Sequence, residues 1–357
     1  MNFRIIIVLI LAIACQIIAD DFILPSFDRR YDQVCYLSSH NSYAAESYGY
    51  VYANQRYSID DQLQKGVRAF ALDIYNYCGR AWFFGKETCY LAMCHGGCEI
   101  NKLIQPTTAF TGPNKLVDAA LFWMLRFLVK HPTEIITIYL ENHAYDYKQL
   151  DQTFEDTEYE GQRLSSLVLK PTDWNLITQR QWPTLEWMIT NNKRLVVFNT
   201  NSPSRQGYAS PLYFASSQYT FYQWPVCAEN QYAELDFSKA AQQRSESKDP
   251  ARVPAARTLL LINYFPESGK VIGRPIGMGF NGFFGDFGVV NGSQLIQFLD
   301  YLLLNGLDNK YKNRYPNALQ VNYFNEGNPL ALVNSINAKA NDPIEREAMF
   351  APLPRPS

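Results

Sequence analysis

Histidine is scarce in this chain, with four in 357 residues, at positions 40, 95, 131 and 143, so each can be weighed by itself. Excess charge is missing as well. Thirty-two Lys and Arg stand against 34 Asp and Glu, a net charge of −2, which lacks the basic surplus that nucleic-acid binding asks for. Beyond the first 18 residues no run is apolar enough to cross a bilayer. No repeat, no low-complexity tract and no D-x-[DN]-x-[DN]-G calcium loop occurs. What is abundant is apolar matter. The chain is 47% hydrophobic and 15% aromatic, enough to bury a large core and to exclude disorder and small disulfide scaffolds.

Cysteine is odd in number at seven. The N-terminus bears on that count. Arg4, an apolar stretch from Ile5 to Ile18, and Ala19 before Asp20 form the layout of a secretory signal peptide over residues 1–19, an uncleaved anchor being the other reading. Cleavage would remove Cys15 and leave Cys35, Cys78, Cys89, Cys94, Cys98 and Cys227, an even set suited to disulfide pairing outside the cytosol. A secreted or luminal protein is expected, with one domain over residues 30–340 and a C-terminal tail over 341–357. Ser238 to Pro254 is polar and charged and is expected to be a surface loop.

Short β-branched runs alternate with helical ones. Strands are expected over Val67–Tyr75, Glu134–Leu140, Arg194–Asn199, Thr258–Tyr264 and Gly282–Phe287, with helices over Tyr57–Lys65, Asn114–Lys130 and Ser293–Leu304. The alternation implies an α/β fold with a mostly parallel sheet, either a closed barrel or an open doubly wound sheet. Five polar sites fall at the ends of apolar runs: His40-Asn41, Asp73, His95, Glu141 and Asp286. In a barrel that end is where active sites assemble. Two histidines and three carboxylates on one face suit general acid–base work on a phosphodiester. Asn41, Asp73 and Glu141 offer oxygen to a hard cation such as Ca²⁺ or Mg²⁺, and zinc is disfavoured because Cys94 and Cys98 are more simply disulfide partners. His131, before Pro132, is expected to close a helix, and His143 shares the loop after Glu141. Tyr43, Tyr48, Tyr50, Tyr52 and Tyr57 form either a lipid-facing or ring-stacking rim or a packed loop.

The segments SSHNSY, QLQKGVRAFALDIY, CHGG and PTEIITIYLENH occur in that order, with 33, 22 and 46 residues separating His40, Asp73, His95 and Glu141. Together they resemble the catalytic X region of phosphatidylinositol-specific phospholipases C. FYQWPVCAENQY, TLLLINYF and the stretch through GDFGVVNG are similar to secreted plant-type proteins with a lone X domain. The resemblance implies an imperfect (β/α)8 TIM barrel that cleaves the glycerol–phosphate bond of an inositol phospholipid while touching a membrane surface transiently. It implies His40 as the first catalytic histidine, His95 as the acid for the leaving oxygen, and Asp286 as the acid supporting His40. Asn41, Asp73 and Glu141 match positions that hold Ca²⁺ in eukaryotic members.

Two departures stand out. The Glu that eukaryotic members carry two residues before the Asp is here Ala71, as an apolar residue is in the plant-type relatives. The Arg that metal-independent bacterial members carry two residues after it is Tyr75. Arg68 and Arg80 are the nearest cations in sequence. Alternatives to the phospholipase reading are a glycerophosphodiesterase or sphingomyelinase-D-like enzyme and a non-catalytic barrel that binds inositol lipids or glycans. The one glycosylation sequon, Asn291-Gly292-Ser293, is expected near the rim of the site.

Overall fold

The computed structural model describes residues 21–51, 53–80, 87–106, 112–144, 146–175, 179, 181–201, 217–232, 236–242, 244, 259–265, 270–271, 274–275, 290–305 and 316–339. The signal peptide expected over 1–19, the tail over 341–357, and the strand Gly282–Phe287 with Asp286 lie outside the described residues.

Nine strands make the main sheet: β1 (Tyr36–Ser39), β2 (Ala69–Arg80), β3 (Glu87–Met93), β4 (Ile136–Asn142), β5 (Leu195–Asn199), β6 (Phe221–Tyr222), β7 (Cys227–Glu229), β8 (Leu259–Asn263) and β9 (Ala318–Val321). Eight of them are parallel, in the spatial order β6-β5-β4-β2-β1-β9-β8-β7. That order is chain order written round a circle, since the first strand pairs with the last: Tyr36 faces Ala318 and Ser39 faces Val321. The two edge strands, β6 and β7, are joined by residues 223–226 alone. Five peptide steps reach at most about 17 Å, whereas eight strands laid flat would hold their edges about 34 Å apart. The sheet must therefore curl round. The result is an imperfect (β/α)8 TIM barrel with its seam between β6 and β7 rather than an open doubly wound sheet.

Helices clothe the outside. In α1 (Ile59–Gln64) the Ser58 hydroxyl caps the N-terminus by accepting from the Asp61 amide, and Ile59 and Leu63 turn inward. Cys98–Ile104 forms α2. Residues 117–121 form a π-helical turn that runs into α3 (Phe122–Lys130), which buries Met124, Leu125, Phe127 and Leu128. His131 closes α3 as expected, its amide donating to the Phe127 carbonyl and its ring stacking on Phe127. Further round come α4 (Tyr147–Asp156), α5 (Leu185–Thr190), α6 (Leu295–Asn305) and α7 (Pro329–Lys339). Among the described residues no helix is long and apolar enough to cross a membrane.

The two ends of the barrel differ in chemistry. At the N-terminal end of the strands, Tyr31 and Trp182 close the floor. Tyr31 shares a 2.7 Å hydrogen bond with Thr137, and Trp182 packs on Tyr31, Phe198 and Phe221 with ring centroids 5.0 to 6.0 Å apart. Tyr139 and Phe198 are register partners and stack at 5.3 Å. Arg68 and Arg194 also serve this end: Arg68 pairs with Glu134 at 2.8 Å, and Arg194 donates to the carbonyls of Leu128 and His131. Arg68 is thus spent at the opposite end from the expected site. Replacing Trp182, 1% exposed, by Ala should cost about 3–5 kcal/mol. The measurement is the shift in urea midpoint, and a variant of unchanged midpoint would show that the floor carries no load.

Candidate functional site

The polar end is built by register. Asp73 of β2 faces Glu141 of β4, so alternation points both carboxylates to the same side of the sheet, and Ala71 faces Tyr139 one step below. His40 follows β1 directly, with its amide donating to the Val321 carbonyl at 3.0 Å. Gln55 clamps this junction, its Nε2 donating to the carbonyls of His40 at 2.8 Å and Val321 at 3.0 Å.

His95 arrives by a different route from the one its sequence context suggests. The run before it is not a barrel stave. Strand β2 continues above the barrel, and β3 returns antiparallel along it, with Cys78 opposite Cys89 and disulfide-bonded to it. The return brings Met93 opposite Ile74 and lets the Cys94 amide donate to the Asp73 carbonyl at 3.3 Å, which sets His95 beside the acids. Cys94 and Cys98 then close a five-residue ring around His95-Gly96-Gly97. The ring needs both glycines, at φ 68° and 104°, where a side chain would be strained. From α2, Asn101 accepts from the His95 amide at 3.1 Å and from the Tyr50 hydroxyl at 2.9 Å. Four cysteines are paired rather than six: Cys35 and Cys227 are buried thiols inside the barrel wall, and burial raises the Cys35 pKa. An even count permits pairing but does not place the partners together.

His40 has a partner that sequence reasoning missed. Its Nδ1 lies 2.9 Å from Oδ1 of Asn322, the residue just past β9, and Asn54 donates to the same oxygen at 3.3 Å. That oxygen is an acceptor, so Nδ1 carries the proton and Nε2 is the basic nitrogen. Asp286, expected in this supporting role, lies outside the described residues; among them, Asn322 is the partner of Nδ1. The only signal in the sequence was a polar residue after a short apolar run, ALQV, which is too brief to read as a strand. The His40 ring stacks on Phe265 at 3.7 Å. Burial lowers its pKa to about 3 against the opposing pull of Asn322, and burial lowers that of His95 to about 4. The buried Nδ1 of His95 has no hydrogen-bond partner among the described residues. Buried polar atoms are nearly always satisfied, so this one is reserved for a ligand or water.

The carboxylates differ. Burial, then the neighbouring Glu141 charge, raise the Asp73 pKa, so Asp73 holds a proton more tightly than an ordinary aspartate. Glu141 is half-exposed, and its pKa is lowered first by the hydrogen bond with His143 Nε2 at 3.2 Å. His143 in turn stacks on Tyr75 at 4.5 Å. Asn41, in the left-handed region at φ 43°, is buried and donates to Asn54 at 3.4 Å. Ca²⁺ takes six to eight oxygens. Asn41, Asp73 and Glu141 bring two carboxylates, one of them engaged by His143, and Ala71 brings nothing. This donor set does not make a calcium cage by itself, and no step below is routed through a metal.

A cation does stand at the mouth. Arg244 lies in the stretch expected to be surface loop, yet its side chain is only 15% exposed. Its Nη1 donates to Glu229 at 3.1 Å, and its amide donates to the Glu229 carbonyl at 3.0 Å. Glu229, at the end of β7, also accepts from Asn263 at 2.7 Å and from Gln223 at 3.1 Å. The charge of Arg244 acts on His40, Asp73 and Glu141 alike. Of the tyrosines after His40, Tyr43 and Tyr50 are buried and pack edge to face at 6.2 Å, so they belong to a packed loop, and Tyr52 lies outside the described residues. Of Arg80 only the backbone, at the end of β2, is described.

The sequon asparagine lies close to the site but is turned inward. Asn291 is 2% exposed, and its amide donates to the carbonyls of Asn322 at 2.6 Å and Tyr323 at 2.9 Å, fixing the turn that carries Asn322.

The family model PI-PLC X 1 matches residues 27–269. A PI-PLC X domain-containing protein of Arabidopsis thaliana is 27% identical over 220 residues, 60% of this chain and 42% of that protein. Another from Arthroderma benhamiae is 26% identical over 176 residues, 48% of this chain and 47% of that protein. The matched stretch is thus less than half the length of either relative. Among solved structures, phosphatidylinositol-specific phospholipase C from Listeria monocytogenes gives a TM-score of 0.47 at 16% identity, covering 89% of this chain and 96% of that one. The F249X mutant of the Staphylococcus aureus enzyme gives 0.49 at 13% identity, covering 87% and 95%.

Two outcomes follow from this geometry. Protein made in a glycosylating host should carry no sugar on Asn291, and a mass unchanged by glycosidase treatment is the check. A Cys94→Ser/Cys98→Ser variant should lose about 2 kcal/mol of stability from the opened ring. The His95 amide should then exchange with deuterium faster than in the parent, and unchanged protection would show that the ring does not hold the histidine.

Proposed function

Because this chain belongs to the PI-PLC X domain family, we propose that its barrel mouth is a phospholipase C-like phosphodiesterase site acting on an inositol phospholipid. The observation that carries the reading is the delivery of His40 and His95 to one mouth by separate elements, a barrel strand and a returning hairpin, where Glu141 acts on both imidazoles. Acid–base cleavage of a phosphodiester needs two such groups.

The reaction runs as an internal displacement. A substrate hydroxyl next to the phosphodiester attacks phosphorus, and its proton passes to Nε2 of His40, which is basic because Asn322 holds the proton of Nδ1. The bond from phosphorus to the glycerol oxygen breaks, and that oxygen takes a proton from His95 to leave as diacylglycerol. The other product is a cyclic inositol phosphate. Both imidazoles are neutral in the empty site. A bound phosphate anion favours the charged form of the imidazole beside it, so His95 takes up a proton from solvent as substrate arrives while His40 stays neutral to accept the hydroxyl proton. The two disulfides suit the oxidising compartment expected for an exported protein.

Purified protein should release cyclic inositol phosphate from phosphatidylinositol vesicles. His40→Ala and His95→Ala should each slow release about 10²–10⁴-fold, with thermal melting close to that of the parent. Equal activity in both variants would remove these histidines from the chemistry. A parent protein that binds the vesicles without cleaving them would make the barrel a binding module.

A further inference from the structure

A phosphoryl group that is attacked and displaced needs a positive charge against its non-bridging oxygens. In this barrel the strand positions next to Asp73 do not supply one. Ala71 and Tyr75 flank it on the inward face, Arg68 is bound to Glu134 at the far end, and the three oxygen donors do not form a calcium cage.

We infer that Arg244 binds the phosphoryl group of the substrate, delivered to the barrel mouth from the loop after β7 and held there by Glu229 and a run of aromatic rings. This rests on the phosphodiesterase reading. The hold is specific. The guanidinium carbon lies 4.8 Å from the Tyr232 ring centre and 5.4 Å from that of Trp224, and the ion pair with Glu229 fixes its direction. Tyr232 stacks on Phe265 at 5.9 Å, and Phe265 stacks on His40 at 3.7 Å. A continuous pile therefore runs from the guanidinium through two rings to the catalytic imidazole. Glu229 is itself braced by Asn263 and Gln223 and is 3% exposed, so the pair cannot swing out without leaving a buried carboxylate unpaired. An arginine is suited to the task because its planar fork matches phosphate oxygens.

The test separates binding from catalysis, using the full chain and inorganic phosphate as the probe. Calorimetric titration should show phosphate binding to the parent, and about tenfold weaker binding to Arg244→Gln. Cleavage of phosphatidylinositol by Arg244→Gln should fall about 10²–10³-fold, and guanidinium ion added in solution should restore part of the activity of Arg244→Gly. Chelator should leave the parent's rate unchanged. Arg244→Lys, which keeps the charge without the fork, should fold and fall between parent and Gln variant, so a Gln variant that fails to fold does not close the question. Unaltered phosphate affinity in Arg244→Gln or Arg244→Lys overturns the inference. So does a parent rate abolished by chelator and restored by Ca²⁺. A parent that cleaves nothing, yet loses phosphate binding on Arg244→Gln, would refute the enzymatic reading and leave the anion site standing.

Discussion

The pairing of the first strand with the last holds this structure together. Tyr36–Ser39 lies in register with Ala318–Val321, at opposite ends of the described chain. Without that ladder the sheet would be open at β1, and the aromatic floor of Tyr31, Trp182, Phe198 and Phe221 would have no enclosure to fill. The same ladder sets Asn322 beside His40, so closure of the barrel and orientation of the base are one event. The amide of Asn291, turned inward onto the Asn322 and Tyr323 carbonyls, serves that junction.

The chemistry of the mouth comes from crowding titratable groups where water is scarce. Burial depresses both imidazoles, and burial, then the neighbouring Glu141 charge, raises the Asp73 pKa. Glu141 stays ionised because His143 and Arg244 favour its charge. Stability and function pull in opposite directions here. Groups that would be cheaper in water are kept buried by the packing of the barrel beneath them.

Much of this was legible along the chain. The staves Ile136–Asn142, Leu195–Asn199 and Leu259–Asn263 fall within or beside the β-branched runs that announce them, and the helix ending at His131 is marked by its Pro. His40, Asp73 and Glu141 could be found because a polar residue ending an apolar run is a local signal. His95 was found for a partly wrong reason, since its strand is a hairpin return and not a stave. The register that places it, Met93 opposite Ile74, depends on the turn and on the Cys78–Cys89 pairing, neither of which periodicity reveals. Strands of two to four residues, at 221–222, 227–229 and 318–321, were too short to stand out. With the last of these went Asn322.

The sequence by itself determined the α/β class, the family pattern and the two histidines, because residue order, periodicity and composition act locally and survive in a linear reading. The tertiary structure alone decided between open sheet and barrel, since closure is a contact between distant segments. It also decided which cysteines pair, which nitrogen of His40 is basic, and that Arg244 in a polar loop is held against Glu229. Each of these is a matter of distance in space, which spacing along the chain does not encode.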